Sequence, residues 1–187
     1  MVPVYWLQYG PQNFLWGSDL VLFGTLLAVW LESRLLISMM AIAALIPELF
    51  WTVDYFGRLI AGPEALPGLG TQYMFNPDIP LHVRGLSLFH IVLPPLLVWL
   101  LQRFGYERRA FIYQTVLACL VLLISYLFTE PTANINWIYG FGREPQTWMP
   151  ERVYLALLMI CIPLFFYLPT HLVLRKLFGR SSKRSTG

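Results

Sequence analysis

Charge is scarce in this 187-residue chain: Asp, Glu, Lys and Arg together make up 12% of it. The surface of a soluble domain draws on about 25% charged residues, so the composition excludes one. Cysteine is nearly absent as well. Cys119 and Cys161 are the two present; each lies in an apolar run without a CxxC partner and reads as a small buried hydrophobe. There is no HExxH and no paired-histidine spacing, so little in the sequence points to a metal. The opening MVPVYWLQYGPQNF holds no cation and therefore lacks the basic n-region of a secretory signal peptide. No Asn-x-Ser/Thr sequon and no internal repeat is present.

Apolar length is abundant instead. Hydrophobic residues make up 57% of the chain, and the mean hydropathy is +0.60. A membrane span needs about 20 mostly apolar residues. Five segments qualify: 13–31, 35–56, 83–103, 110–129 and 152–176. All are expected to be helices, because hydrocarbon offers the backbone no partner outside its own segment. The expectation is an all-α polytopic membrane protein, a single domain over 1–187 with a basic tail at 177–187. Two long connections, 57–80 and 131–148, are rich in Gly, Pro, Asn and aromatics.

Five spans put the termini on opposite sides. One side then collects Arg34, Arg103, Arg108, Arg109, Arg175, Lys176, Arg180, Lys183 and Arg184; the other has Arg58, Arg84, Arg143 and Arg152. This bias predicts the N-terminus out and the C-terminus in, and fits a bacterial inner membrane. Trp6, Trp16, Trp51, Trp137 and Trp148 would mark the outer interface, with Trp30 and Trp99 at the inner one. The basic tail suits anionic lipid rather than nucleic acid.

Ionisable residues inside spans are costly and turn toward the bundle interior. At about 1.5 Å per residue, Ser18 and Asp19 fall about 8 Å below the outer surface. By the same rise Glu48 and His90 lie about 11–12 Å down, and Ser125 and Tyr126 about 6–8 Å. Four helices thus aim polar groups at one layer. Pro94 removes the hydrogen bond to the His90 carbonyl and Pro95 that to Ile91, so a kink and a polar pocket are expected there. Asp54 and Arg58, one turn apart, are expected to pair structurally. His171 reads as a snorkelling interfacial histidine, and His82 as facing water or the outer loop.

Three chemistries suit the layer. Ser18, His90 and an acid, Asp19 or Glu48, would supply a nucleophile, a base and its orienter. Asp19, Glu48 and His90 could instead ligate zinc or iron. Or the carboxylates could bind protons or a cationic substrate in a transporter.

Three stretches carry a resemblance: SDLVLF in the first helix, LSLFHIVLPP in the third, and SYLFTEPTANINWIYGFGREPQTW after the fourth. Together they resemble the YwaF-like integral membrane family and, more remotely, the androgen-induced, androgen-dependent membrane lipid hydrolases. The resemblance covers most of 84–165 and a patch of the first helix. It implies that His90 matches the family's helix histidine, that Ser18 stands where relatives keep a thiol or hydroxyl, and that Asn134 and Asn136 match the loop motif. Five spans rather than about six is a departure from the family.

The leading expectation is a membrane-embedded lipid acyl-ester hydrolase or acyltransferase. Ser18 would attack, His90 would take its proton, and Glu48 or Asp19 would orient the ring. Asn134, Asn136 or Tyr139 would stabilise an oxyanion, with Arg84 and Tyr126 completing the outer binding surface. The alternative is a non-enzymatic accessory subunit, or a protein that binds lipid or a small molecule. A small transporter is the third. Membrane lipids and other membrane subunits are the expected partners; no motif names a cofactor.

Overall fold

The computed structural model describes residues 1–64, 70–142 and 145–179. Arg143, Arg180, Lys183 and Arg184, counted in the expected charge bias, lie outside the described residues, as does most of the 177–187 tail. Helices are the regular structure, and there is no strand among the described residues. In chain order they are α1 (Val2–Tyr9), α2 (Gly17–Trp30), α3 (Arg34–Ala61), α4 (Leu81–Phe104), α5 (Ala110–Phe128) and α6 (Glu151–Phe178). Short 3-10 turns occupy Pro11–Leu15, Gln72–Phe75 and Ile135–Trp137.

Four of these helices, α3 to α6, are long and apolar enough to cross a membrane. The chain has the build of an integral membrane protein. α2 is shorter than expected, at 14 residues, because Pro11 and Asn13 favour a tight turn where a long first span was expected. α3 runs five residues past the expected end at 56, because nothing breaks it before Gly62 and Pro63.

α3 is the hub. It packs against α2, α4, α5 and α6. Half of its most apolar window is buried, against 17% for α5 and α6. Its N-terminal half is built for close contact, with Ser38, Ala41 and Ala44 all buried, since small residues let helices approach. Gly24 of α2 adds to this: a Cβ there would collide with the Met40 side chain. Around these residues Ile37, Ile42, Leu93, Leu97, Leu100 and Leu101 form the core. α5 shows the opposite side of the same physics. Ile112, Val116, Leu120, Leu123 and Leu127 form an exposed stripe at helical spacing, apolar where a water-facing helix would be polar.

The two ends of the bundle are tied differently. At one end Tyr106, in the turn between α4 and α5, holds α3 and α6 through three hydrogen bonds. Its carbonyl accepts from Arg34 Nη2 at 2.5 Å, its N–H donates to Phe178 O at 3.3 Å, and its hydroxyl is bonded to His171 Nδ1 at 2.6 Å. His171 is therefore a half-buried partner of Tyr106, not a snorkelling side chain. At the other end the loop after α5 grips the start of α2 through Asn136.

The interruption in α4 is not at its prolines. The helix runs on through Pro94 and Pro95, and the break is a turn at 87–88. Just before the prolines the chain winds more tightly, with Ser87 N to Arg84 O, His90 N to Ser87 O and Ile91 N to Leu88 O bonds of 3.0, 3.2 and 3.0 Å. These i→i−3 bonds shift the irregularity one turn toward the N-terminus.

Candidate functional site

One face of α3 presents Glu48, Trp51, Asp54, Tyr55 and Arg58, at the 3–4-residue spacing that stacks side chains along a helix. Glu48 is 2% exposed and meets His90 of α4, itself 8% exposed. Nδ1 of His90 is hydrogen-bonded to Oε2 of Glu48. The imidazole is also covered on its faces. Trp51 stacks on it at 4.4 Å and 13°, and Phe89 at 4.2 Å and 23°. The stack continues outward, with Tyr55 5.3 Å from Trp51 and Phe75 5.7 Å from Tyr55. Trp51 is thus an inward-facing cover for His90 rather than a member of an interfacial belt.

Asp19 and Ser18 part company. Asp19, in the first turn of α2, is 4% exposed. Its Oδ2 accepts from Asn13 Nδ2 at 3.2 Å, its Oδ1 has no partner among the described residues, and it lies within electrostatic reach of Glu48. Ser18 is half-buried, and among the described residues no hydrogen bond joins it to His90. Glu48 meets the histidine, Asp19 lies within electrostatic reach of Glu48, and no hydrogen bond among the described residues brings the Ser18 hydroxyl to the ring. No group of three or more His, Cys, Asp or Glu among the described residues is arranged to hold a metal.

The residues of the loop after α5 serve the loop. Asn134 sits in the left-handed region at φ 40°, a conformation Asn tolerates better than most residues. Both protons of its amide are used, on Gly140 O and Gly142 O at 2.9 Å each, and its Oδ1 accepts from Tyr139 N at 3.0 Å. Asn136 accepts from Gly17 N at 2.8 Å and donates to Leu15 O at 2.8 Å and Ser125 Oγ at 3.3 Å. Tyr139 donates its hydroxyl to the Tyr126 carbonyl at 3.2 Å, and the two rings lie 5.5 Å apart. The donors proposed for an oxyanion are engaged with their own fold.

Two further clusters lie near the C-terminal end of α3 and the start of α4. Asp54 and Arg58, both fully buried, form the expected pair at 3.1 Å. Asp54 Oδ2 also accepts from Thr71 N at 3.1 Å and Thr71 Oγ1 at 2.6 Å, and Arg58 Nη1 donates to Pro63 O. Tyr5 of α1 and Ser87 at the break in α4 share a 2.7 Å hydrogen bond. Close by, burial pushes the Tyr73 hydroxyl above the ordinary tyrosine range.

An open cleft of about 190 Å³ is lined by Tyr55, Met74, Leu81, Arg84, Gly85 and Leu88. Arg84 Nη1 donates to Met74 O at 2.8 Å, while its Nε has no acceptor among the described residues. Sequence reasoning reached Arg84, Glu48, His90 and Asp19. It missed Tyr55 and Tyr5 and the cover that Trp51 gives His90; only the spacing of 48, 51 and 55 signalled the column. No family model, curated protein or solved structure matches the chain.

Proposed function

We propose that this is a five-span, multi-pass membrane protein that binds lipid at its outer face without cleaving it. The single observation that carries the reading is the enclosure of His90: Glu48 on Nδ1 and the Trp51 and Phe89 rings on its faces. A general base needs reach to the proton it removes, and Ser18 is not bonded to it. With the loop amides also engaged, the open feature that carries a cation at this end is the cleft at Tyr55 and Arg84.

Five spans are supported by lengths and ends. α2 gives about 21 Å at 1.5 Å per residue, and the 3-10 turn before it about 10 Å at 2.0 Å per residue. Their sum is close to the roughly 30 Å of hydrocarbon. The joining of Arg34, Tyr106 and Phe178 at one end and of Leu15, Gly17 and Asn136 at the other fits helices alternating in direction. The cation bias favours the Tyr106 end as the inner one, in a bacterial inner membrane. Under this reading the likeness to the YwaF-like family extends to the positions of His90 and the Asn134–Asn136 motif, and not to hydrolysis.

The test pairs lipid retention with ester turnover. The full chain is purified in mild detergent, its bound lipid is counted by native mass spectrometry, and hydrolysis of a fluorogenic acyl ester is followed for wild type and Ser18→Ala. Retained lipid with no Ser18-dependent turnover supports the reading. Turnover that disappears in Ser18→Ala, or a wild-type protein that keeps no lipid, overturns it.

A further inference from the structure

Leu81, Arg84, Gly85 and Leu88 stand at i, i+3, i+4 and i+7 along the start of α4, and all four line the cleft opposite Tyr55 and Met74. One helix face therefore brings a cation and two apolar side chains to the same opening. Leu81 is 76% and Leu88 39% exposed.

Arg84 has the features of an anion ligand. The ion pairs among the described residues are Asp54–Arg58, Glu48–His90 and Glu107–Arg109, so no carboxylate among the described residues pairs with it. Its contact with Met74 O uses Nη1, and its Nε, buried beside the cleft, has no acceptor among the described residues. The guanidinium carries more donors than Met74 O uses, and a charged N–H donor is a strong partner for a phosphate or carboxylate oxygen. The residue is also at the right level: three residues into α4, it lies about 4.5 Å from the helix start, near where a headgroup would lie.

Gly85 makes the opening. A Cβ built there meets nothing within 4 Å, and the residue does not have positive φ. The helix does not need glycine at this place for its backbone, and a larger side chain would enter the cleft.

We propose that this cleft holds the phosphodiester of an anionic phospholipid, with the guanidinium of Arg84 on the phosphate and Leu81 and Leu88 along the first part of an acyl chain. The inference deepens the lipid-binding reading above and rests on it. A zwitterionic headgroup brings its own ammonium to the phosphate and gains less from an unneutralised arginine.

The experiment offers the full chain an equal mixture of phosphatidylglycerol and phosphatidylcholine in mixed micelles and reads bound lipid by native mass spectrometry. A charge-assisted pair predicts a preference for phosphatidylglycerol of roughly tenfold. Arg84→Gln is expected to bring the two lipids to parity. Gly85→Leu is expected to lower retention of both while keeping the wild-type melting midpoint, which separates occlusion from misfolding. Millimolar inorganic phosphate is expected to leave the lipid in place. Parity in the wild type, or full phosphatidylglycerol retention in Gly85→Leu, overturns the headgroup assignment and leaves lipid binding standing. Displacement by inorganic phosphate overturns it in favour of a small-anion site. A wild type that keeps neither lipid removes the underlying reading as well.

Discussion

Asn136 and Gly17 are joined across 119 residues of sequence, with the Gly17 N–H donating to Asn136 Oδ1 at 2.8 Å. The bond satisfies a backbone donor at the start of α2, one of the N–H groups that a helix leaves without an internal partner. The same amide reaches Leu15 O and Ser125 Oγ, so one side chain ties α2 to the end of α5. Asn136→Ala should lower stability by about 2 kcal/mol, the sum of two to three hydrogen bonds at the usual net value. Asn136→Gly should lose less, by about 1 kcal/mol, because it keeps the φ of 56° without strain. Thermal unfolding of both variants in detergent checks the order; equal losses would remove the backbone part of the argument.

The Glu48–His90 pair is expected to behave as a unit. His90→Ala leaves a buried carboxylate without its partner and should cost about 3–5 kcal/mol. Glu48→Leu combined with His90→Phe removes both members and should recover most of that loss. A double-mutant cycle on unfolding midpoints measures the coupling. Additive losses would mean that the two side chains stabilise the bundle separately.

Part of this was legible from spacing and depth alone. Equal depths for Glu48 and His90 anticipated their contact, and one-turn spacing anticipated Asp54 with Arg58. Ser18 and Asp19 show where depth stops helping. They are adjacent in sequence and so about 100° apart around the helix, which sends Asp19 into the core and leaves Ser18 at its margin. Depth has no angular information, and an error of one residue changes the chemistry. Pro94 and Pro95 were informative about where a hydrogen bond is missing and not about where the helix gives way. Asn134 and Asn136 were recognisable as loop residues, but their partners at Gly142, Leu15 and Gly17 depend on how the loop folds back.

Asp54 is expected to be the least replaceable acid in the C-terminal half of α3. It holds Arg58 through one oxygen and the backbone and hydroxyl of Thr71 through the other. Asp54→Ala would leave the buried guanidinium without its carboxylate and should cost about 3–5 kcal/mol. Thr71→Val removes one hydroxyl donor and keeps the backbone bond, so about 1 kcal/mol is expected. Unfolding midpoints for the two variants should therefore differ clearly, with Asp54→Ala the lower. A Thr71→Val loss as large as that of Asp54→Ala would shift the weight from the ion pair to the loop.

Tyr106 predicts an alkaline limb to stability. It lies in the turn between α4 and α5, 1% exposed, and burial, with a smaller contribution from Glu107, raises its hydroxyl above the ordinary tyrosine value of 10.0. A raised tyrosine favours the protonated, folded form. Its contribution is fully present below about pH 10 and is lost as pH rises from there toward the folded value, because the unfolded chain releases its proton first. Each such group steepens the loss by about 1.4 kcal/mol per pH unit in that window. Tyr106→Phe should therefore show two changes. Below pH 9 it should lose about 1 kcal/mol with the His171 hydrogen bond. Above pH 10 its slope should be shallower than wild type by one proton. Wild-type and variant curves that run parallel through pH 10–11 would mean that Tyr106 ionises alike in both states and that its raised hydroxyl does not stabilise the fold.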